Sequence, residues 1–221
     1  MIGIHQVELC YKTNFNSCGS TPRTAQKPLS LITVIQKMDK KAYWLLGAGL
    51  LGAALLSSCG SIPKKAKPIG NFKLDRYLGK WFEIARFDYR FEKNLNNVTA
   101  EYSLNDDGTV NVINRGFHMV KRQWKSARGK AKFRKDKQTA ALKVSFFGPF
   151  YSGYNVIAID KDYQYALVAG ESLKYLWILS RTPEIPNHIK QDYLSKAKNV
   201  GYDISKLIWV AHDTTSFQSP E

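Results

Sequence analysis

Between Leu78 and Val210 the chain alternates short aromatic and β-branched runs with Asp- and Gly-rich breaks, a pattern few folds can accommodate. Runs of this length, bounded by turn residues, read as strands of an antiparallel sandwich or barrel. Eight strands are predicted, at 80–88, 98–104, 109–117, 123–133, 140–147, 153–159, 163–169 and 174–181. The connectors at 105–108, 135–139, 148–153, 160–162 and 170–172 have the composition of hairpin turns. After Pro183 and Pro186 the period lengthens. Ile189, Tyr193, Leu194, Ala197 and Val200 then share one helical face, and Gly201 stands where a helix would stop. A short ninth strand is expected at 207–210. The expected fold is all-β: an eight-stranded antiparallel up-and-down barrel with one C-terminal α-helix packed outside. Such a barrel has an interior wide enough for one small ligand.

Ahead of this body, Ala42 to Leu56 is an uncharged run of fifteen residues, preceded by Met38-Asp39-Lys40-Lys41 and followed by Ser57-Ser58-Cys59. A membrane span needs about 20 apolar residues. A basic start, a short apolar stretch and small residues before a cut describe a secretory signal instead. The alternative is an uncleaved anchor. Leu56-Ser57-Ser58-Cys59 resembles the lipobox of bacterial lipoproteins. That resemblance implies cleavage before Cys59 and acylation of its sulfur and its new amino group. At about 0.8 kcal/mol per buried methylene, three acyl chains make an effectively permanent anchor.

Basic residues outnumber acidic ones 33 to 18, and the chain from Cys59 onward keeps a net charge of +11. An excess of this size points to anionic partners. Its densest part is Lys121, Arg122, Lys125, Arg128, Lys130, Lys132, Arg134, Lys135 and Lys137, opposed only by Asp136. Nucleic acid is excluded as a partner, because base stacking would need more aromatics than Trp124 and Phe133 among these cations. A solvated strand face is the plain alternative for the cluster. Three cysteines, Cys10, Cys18 and Cys59, build neither a disulfide framework nor a four-ligand zinc site. His118, His188 and His212 lack metal-ligand spacing, and no Gly-x-Ser-x-Gly occurs. No catalytic group, metal or cofactor is expected.

Three blocks carry a further resemblance. Asn71 to Trp81 holds Gly79-x-Trp81, the signature of the lipocalins, and Phe82 to Asp88 looks like their apolipoprotein D-like branch. The blocks Ala141 to Tyr151 and Tyr175 to Pro183 resemble the bacterial outer-membrane lipoprotein lipocalins. Residues 1–37 are polar and aperiodic and read as a gene-model extension with translation starting at Met38, a long leader being the alternative; 38–58 are expected to be the signal peptide. On the resemblance, residues 59–70 are a lipidated flexible tether, 71–213 the lipocalin domain and 214–221 a C-terminal tail. Trp81 would plug the closed end, with Arg181 across its ring and bonded to carbonyls of the incoming segment.

If the first strand starts at the closed end, Phe91, residues 117–122, Tyr151 and Ser172 surround the mouth. Tyr151 and Trp177 match positions that line the pocket or its entrance in the bacterial family. Phe146 and Tyr154 join them as wall candidates by alternation, although bulges can shift that parity. Ordinary core packing is the alternative for each. By the same geometry Lys121, Arg122 and Lys125 lie near the mouth, where cations would attract a carboxylate or phosphate headgroup.

The implied ligand is a fatty acid or lysophospholipid, bound, stored or transported in the bacterial envelope. Gly60 after the lipidated cysteine favours the outer membrane, with the barrel in the periplasm and a homodimer possible. Two other classes remain. A structural envelope lipoprotein would fill its barrel with its own side chains, and a lipid-modifying enzyme would need a polar pair deep inside.

Overall fold

The computed structural model describes residues 62–89 and 92–213. The expectations for the leader, for Cys59, for Phe91 and for 214–221 lie outside the described residues. Eight strands form the body: β1 (Gly79–Phe87), β2 (Leu95–Leu104), β3 (Val110–His118), β4 (Gln123–Phe133), β5 (Ala141–Phe147), β6 (Phe150–Ile159), β7 (Tyr165–Ala169) and β8 (Leu176–Ser180). Each pairs antiparallel with its sequence neighbour, and β1 also pairs with β8, which closes the barrel. A ninth strand, β9 (Leu207–Trp209), lies outside it. Along β1, the partner β2 covers Gly79 to Phe82, while β9 covers Ala85 to Phe87.

Two boundaries differ from the sequence expectation in ways that move side chains. The connector expected at 148–153 shrinks to Gly148-Pro149, because Phe147 and Phe150 already pair across the hairpin. Strand β2 begins at Leu95 rather than 98, with a register shift between Asn96 and Thr99 that admits the positive φ of Asn97. A short helix, α1 (Leu74–Tyr77), precedes β1 and was not signalled by any periodicity.

Alternation sorts the apolar side chains into two layers. Trp81, Tyr102, Val112, Val144, Tyr154 and Trp177 belong to the cluster inside the barrel. Ile84, Ala85, Leu167, Leu176 and Ile178 face the other way, against helix α2 (Asn187–Val200). Tyr193 and Ala197 are the buried residues of α2, with Ile189, Leu194 and Val200 packed beside them, the face expected from the 3.6-residue period. The Tyr193 hydroxyl donates to the Tyr165 carbonyl at 2.8 Å, and the backbone N–H groups of Gly201 and Tyr202 close the helix on Ala197.

Candidate ligand-binding site

The closed end is built on Trp81, which is fully buried and donates its indole N–H to the Tyr77 carbonyl at 2.8 Å. The Arg181 guanidinium lies 3.9 Å from the centre of the Trp81 ring. It also donates to the carbonyls of Lys80 (2.8 Å), Arg76 (2.8 Å), Leu78 (2.9 Å) and Tyr163 (3.3 Å). One side chain thus ties α1 and the start of β1 to the turn before β7. Gly79 is required at this junction because its φ of +90° is a conformation that side chains disfavour.

Above that floor, Leu74 and Tyr77 of α1 and inward residues of β2 to β6 enclose one cavity. Its wall is mostly apolar: Val110, Val112, Ala131, Leu142, Val144 and Phe146. It is narrow, with a cavity volume of about 20 Å³. Gly129 allows the Phe146 ring to lie against β4, because a Cβ there would stand 2.9 Å from that ring. Polar groups in the wall are few. The Tyr154 hydroxyl is bonded to those of Tyr77 (2.6 Å) and Tyr102 (2.8 Å). Burial pushes all three phenols up, so they remain neutral at pH 7.

A closed antiparallel barrel with a capped floor, a cavity reaching upward from it and one helix outside is an arrangement shared with known proteins. The profile of the lipocalin-like domain family matches residues 72–212. The chain belongs to the lipocalin family. It is 54% identical over 165 residues to the outer membrane lipoprotein Blc of Citrobacter freundii, an alignment covering 74% of this chain and 93% of that relative. Identity to rat apolipoprotein D is 32% over 139 residues, covering 59% and 70%. Insecticyanin from the tobacco hornworm has the same fold, with a TM-score of 0.57 at 19% identity over 69% of this chain and 87% of that one.

Within this lipocalin barrel the expected wall residues separate. Phe146 and Tyr154 face the cavity. Trp177 points inward and is 5% exposed, but it belongs to a stack nearer the mouth. Its ring lies parallel to that of Tyr175 at 6.3 Å, and Tyr175 meets Tyr89 edge-on at 4.9 Å. Tyr151 is a correction. Ser152 pairs with the inward Val144, so Tyr151 falls on the outer face of the barrel, where Lys132 and Lys143 sit 5.0 and 5.1 Å from its ring centre. Lys121 and Arg122 are exposed in the turn between β3 and β4, and the Lys121 backbone N–H donates to His118 Nδ1.

The interior holds two features that sequence reasoning did not resolve: the face taken by Lys125, and a buried ionic group. Lys125 pairs with Gly116 on the same face as Asn114, two residues further along β3, so its side chain starts on the inner face near the mouth. A register shift between Glu83 and Ala85 turns Arg86 inward beside Trp177, and Arg86 is 2% exposed. It donates to Glu83 at 2.8 Å and to the carbonyls of Glu92 (2.6 Å) and Leu95 (3.0 Å), while the Glu92 carboxylate lies 3.7 Å from its Nε. One guanidinium faces two carboxylates. Burial and the nearby Glu92 charge, outweighing the pull of Arg86, hold the Glu83 carboxyl up to about 8.

Proposed function

We propose that this lipocalin is a lipid-anchored protein of the bacterial outer membrane that binds, stores or transports fatty acids or lysophospholipids. The observation that carries the reading is the cavity wall: apolar side chains from β3, β4, β5 and α1, joined by Tyr102 and Tyr154, around one interior space. Lys125 starts from that same inner face nearer the mouth. A single acyl chain suits such a wall, with a carboxylate or phosphate headgroup toward Lys125. Partition supplies the driving force, since each buried methylene contributes about 0.8 kcal/mol. Exposed Met119, Val120, Phe147, Phe150 and Leu173 give an incoming lipid apolar contacts at the mouth.

The Citrobacter relative is named an outer membrane lipoprotein, and the order of basic start, apolar run and Leu56-Ser57-Ser58-Cys59 supports the same anchoring here. Cys59→Ser is expected to leave an unprocessed precursor that takes up no labelled lipid. Native peptides from residues 1–50 in the mature protein would contradict this.

Headgroup recognition has its own test. Lys125→Ala is expected to weaken anionic acyl ligands by about 2- to 5-fold, the scale of a partly exposed ion pair. The rim substitutions Lys121→Ala and Arg122→Ala should have smaller effects. All three losses should shrink at high salt, where exposed charges are screened. Competition binding with charged and uncharged ligands of equal chain length measures this, and equal losses for both ligands would remove Lys125 from the headgroup site.

The narrowness of the cavity favours a second reading, a structural envelope lipoprotein whose barrel is filled by its own side chains. On that reading no acyl ligand enters.

A further inference from the structure

The cavity is apolar except at two depths, and the polar atoms there have hydrogen-bonding capacity left over. At the floor, the hydroxyls of Tyr77, Tyr102 and Tyr154 are joined by two hydrogen bonds. Three phenols carry three protons, so one O–H is left without an acceptor among the described residues. Higher up, the Asn114 side-chain oxygen is buried with no donor among the described residues. Asn114 follows Val112, the pairing partner of Tyr102, by two residues of β3, which places it about 7 Å nearer the mouth. Both groups line the same cavity.

An unsubstituted acyl chain in this space would leave the Asn114 oxygen and the surplus phenol proton desolvated and unpaired, the costly condition for buried polar groups. The space as it stands admits a water molecule, and a ligand that displaces water from polar partners must reproduce its hydrogen bonds to bind well. A hydroxyl can do this, because it both donates and accepts. The geometry points to a single-chain lipid that carries a hydroxyl on its buried portion, donating to Asn114 or accepting from the tyrosine chain. This rests on the lipid-binding reading above and specifies its ligand class.

The test is competition of a fluorescent fatty-acid probe from the full chain by octadecanoic acid and by a positional series of hydroxyoctadecanoic acids. One isomer, or a few adjacent ones, should bind about 3- to 10-fold more tightly than octadecanoic acid, the worth of one buried hydrogen bond. Asn114→Leu should abolish an advantage that depends on Asn114, and Tyr154→Phe one that depends on the tyrosine chain. Asn114→Leu should also hold octadecanoic acid at least as tightly as the unaltered protein does. Failure of every isomer to bind more tightly than octadecanoic acid would overturn the inference while leaving lipid binding intact. So would an advantage that survives both substitutions. The isomer series with the unaltered protein decides the matter even if a variant does not fold. If neither octadecanoic acid nor any isomer binds, the lipid-binding reading falls, and this inference with it.

Discussion

Trp81→Ala is expected to destabilise the barrel by about 3–5 kcal/mol, the usual cost of deleting a large buried aromatic. The ring is fully enclosed, and its loss would do more than leave a void. It would remove the surface on which Arg181 rests and leave the Tyr77 carbonyl without its indole donor. Arg181→Ala should cost less, about 1–3 kcal/mol. The guanidinium is only half-buried, so the carbonyls it releases can turn to water. In a domain of this size the tryptophan loss corresponds to a fall in melting temperature of roughly 6–20 °C. Thermal unfolding of the two variants side by side measures the ranking. Small and equal effects would mean that the floor of the barrel is held by something other than this pair.

The second large effect is expected at Arg86. Arg86→Met removes the guanidinium that faces both Glu83 and Glu92, and with it two hydrogen bonds to backbone carbonyls. Breaking a buried ion pair from one side usually costs about 3–5 kcal/mol, because the remaining charge is stranded. The loss should depend on pH. Glu83 titrates at about 8 in the fold against an ordinary value of 4.5. Between those values the folded protein keeps a proton that the unfolded chain has released, so stability falls as pH rises through that window. Below it the contribution is fully present. Denaturant unfolding from pH 5 to 8 should show this decline in the unaltered protein, a flatter profile in Glu83→Gln, and a larger Arg86→Met deficit at pH 8 than at pH 5. A profile that rises with pH would contradict the assignment.

The barrel itself was legible in the sequence because its signals are local. Period-2 runs ended by Asn105-Asp106-Asp107-Gly108 or Asp160-Lys161-Asp162 mark strands without reference to distant residues, and the apolar face of α2 repeats every 3.6 residues. The direction of the meander then assigned loops to mouth or floor. Within the site, legibility ended where parity depends on register. Tyr151 was expected in a six-residue connector. The hairpin turns in two, and that places the side chain on the outer face. Simple alternation from Trp81 would face Arg86 outward, and only the shift between Glu83 and Ala85 turns it inward. Lys125 could not be separated from Lys121 and Arg122, because only its pairing with Gly116 shows which face it takes. The Tyr77, Tyr102 and Tyr154 group is assembled from α1, β2 and β6, and no local pattern relates the three.

The central claim is that the interior accepts one acyl chain, and affinity as a function of chain length tests it most directly. Saturated fatty acids and lysophospholipids of increasing length would be titrated into the purified protein while Trp177 fluorescence is followed. That ring is buried on the inner face, above the cavity. Affinity is predicted to rise with each methylene by up to about 0.8 kcal/mol, close to fourfold, and to level off when the chain reaches the floor formed by Tyr77 and Trp81. Absence of binding at micromolar concentration, or binding that ignores chain length, would contradict the lipid-carrier account and leave a barrel filled by its own side chains.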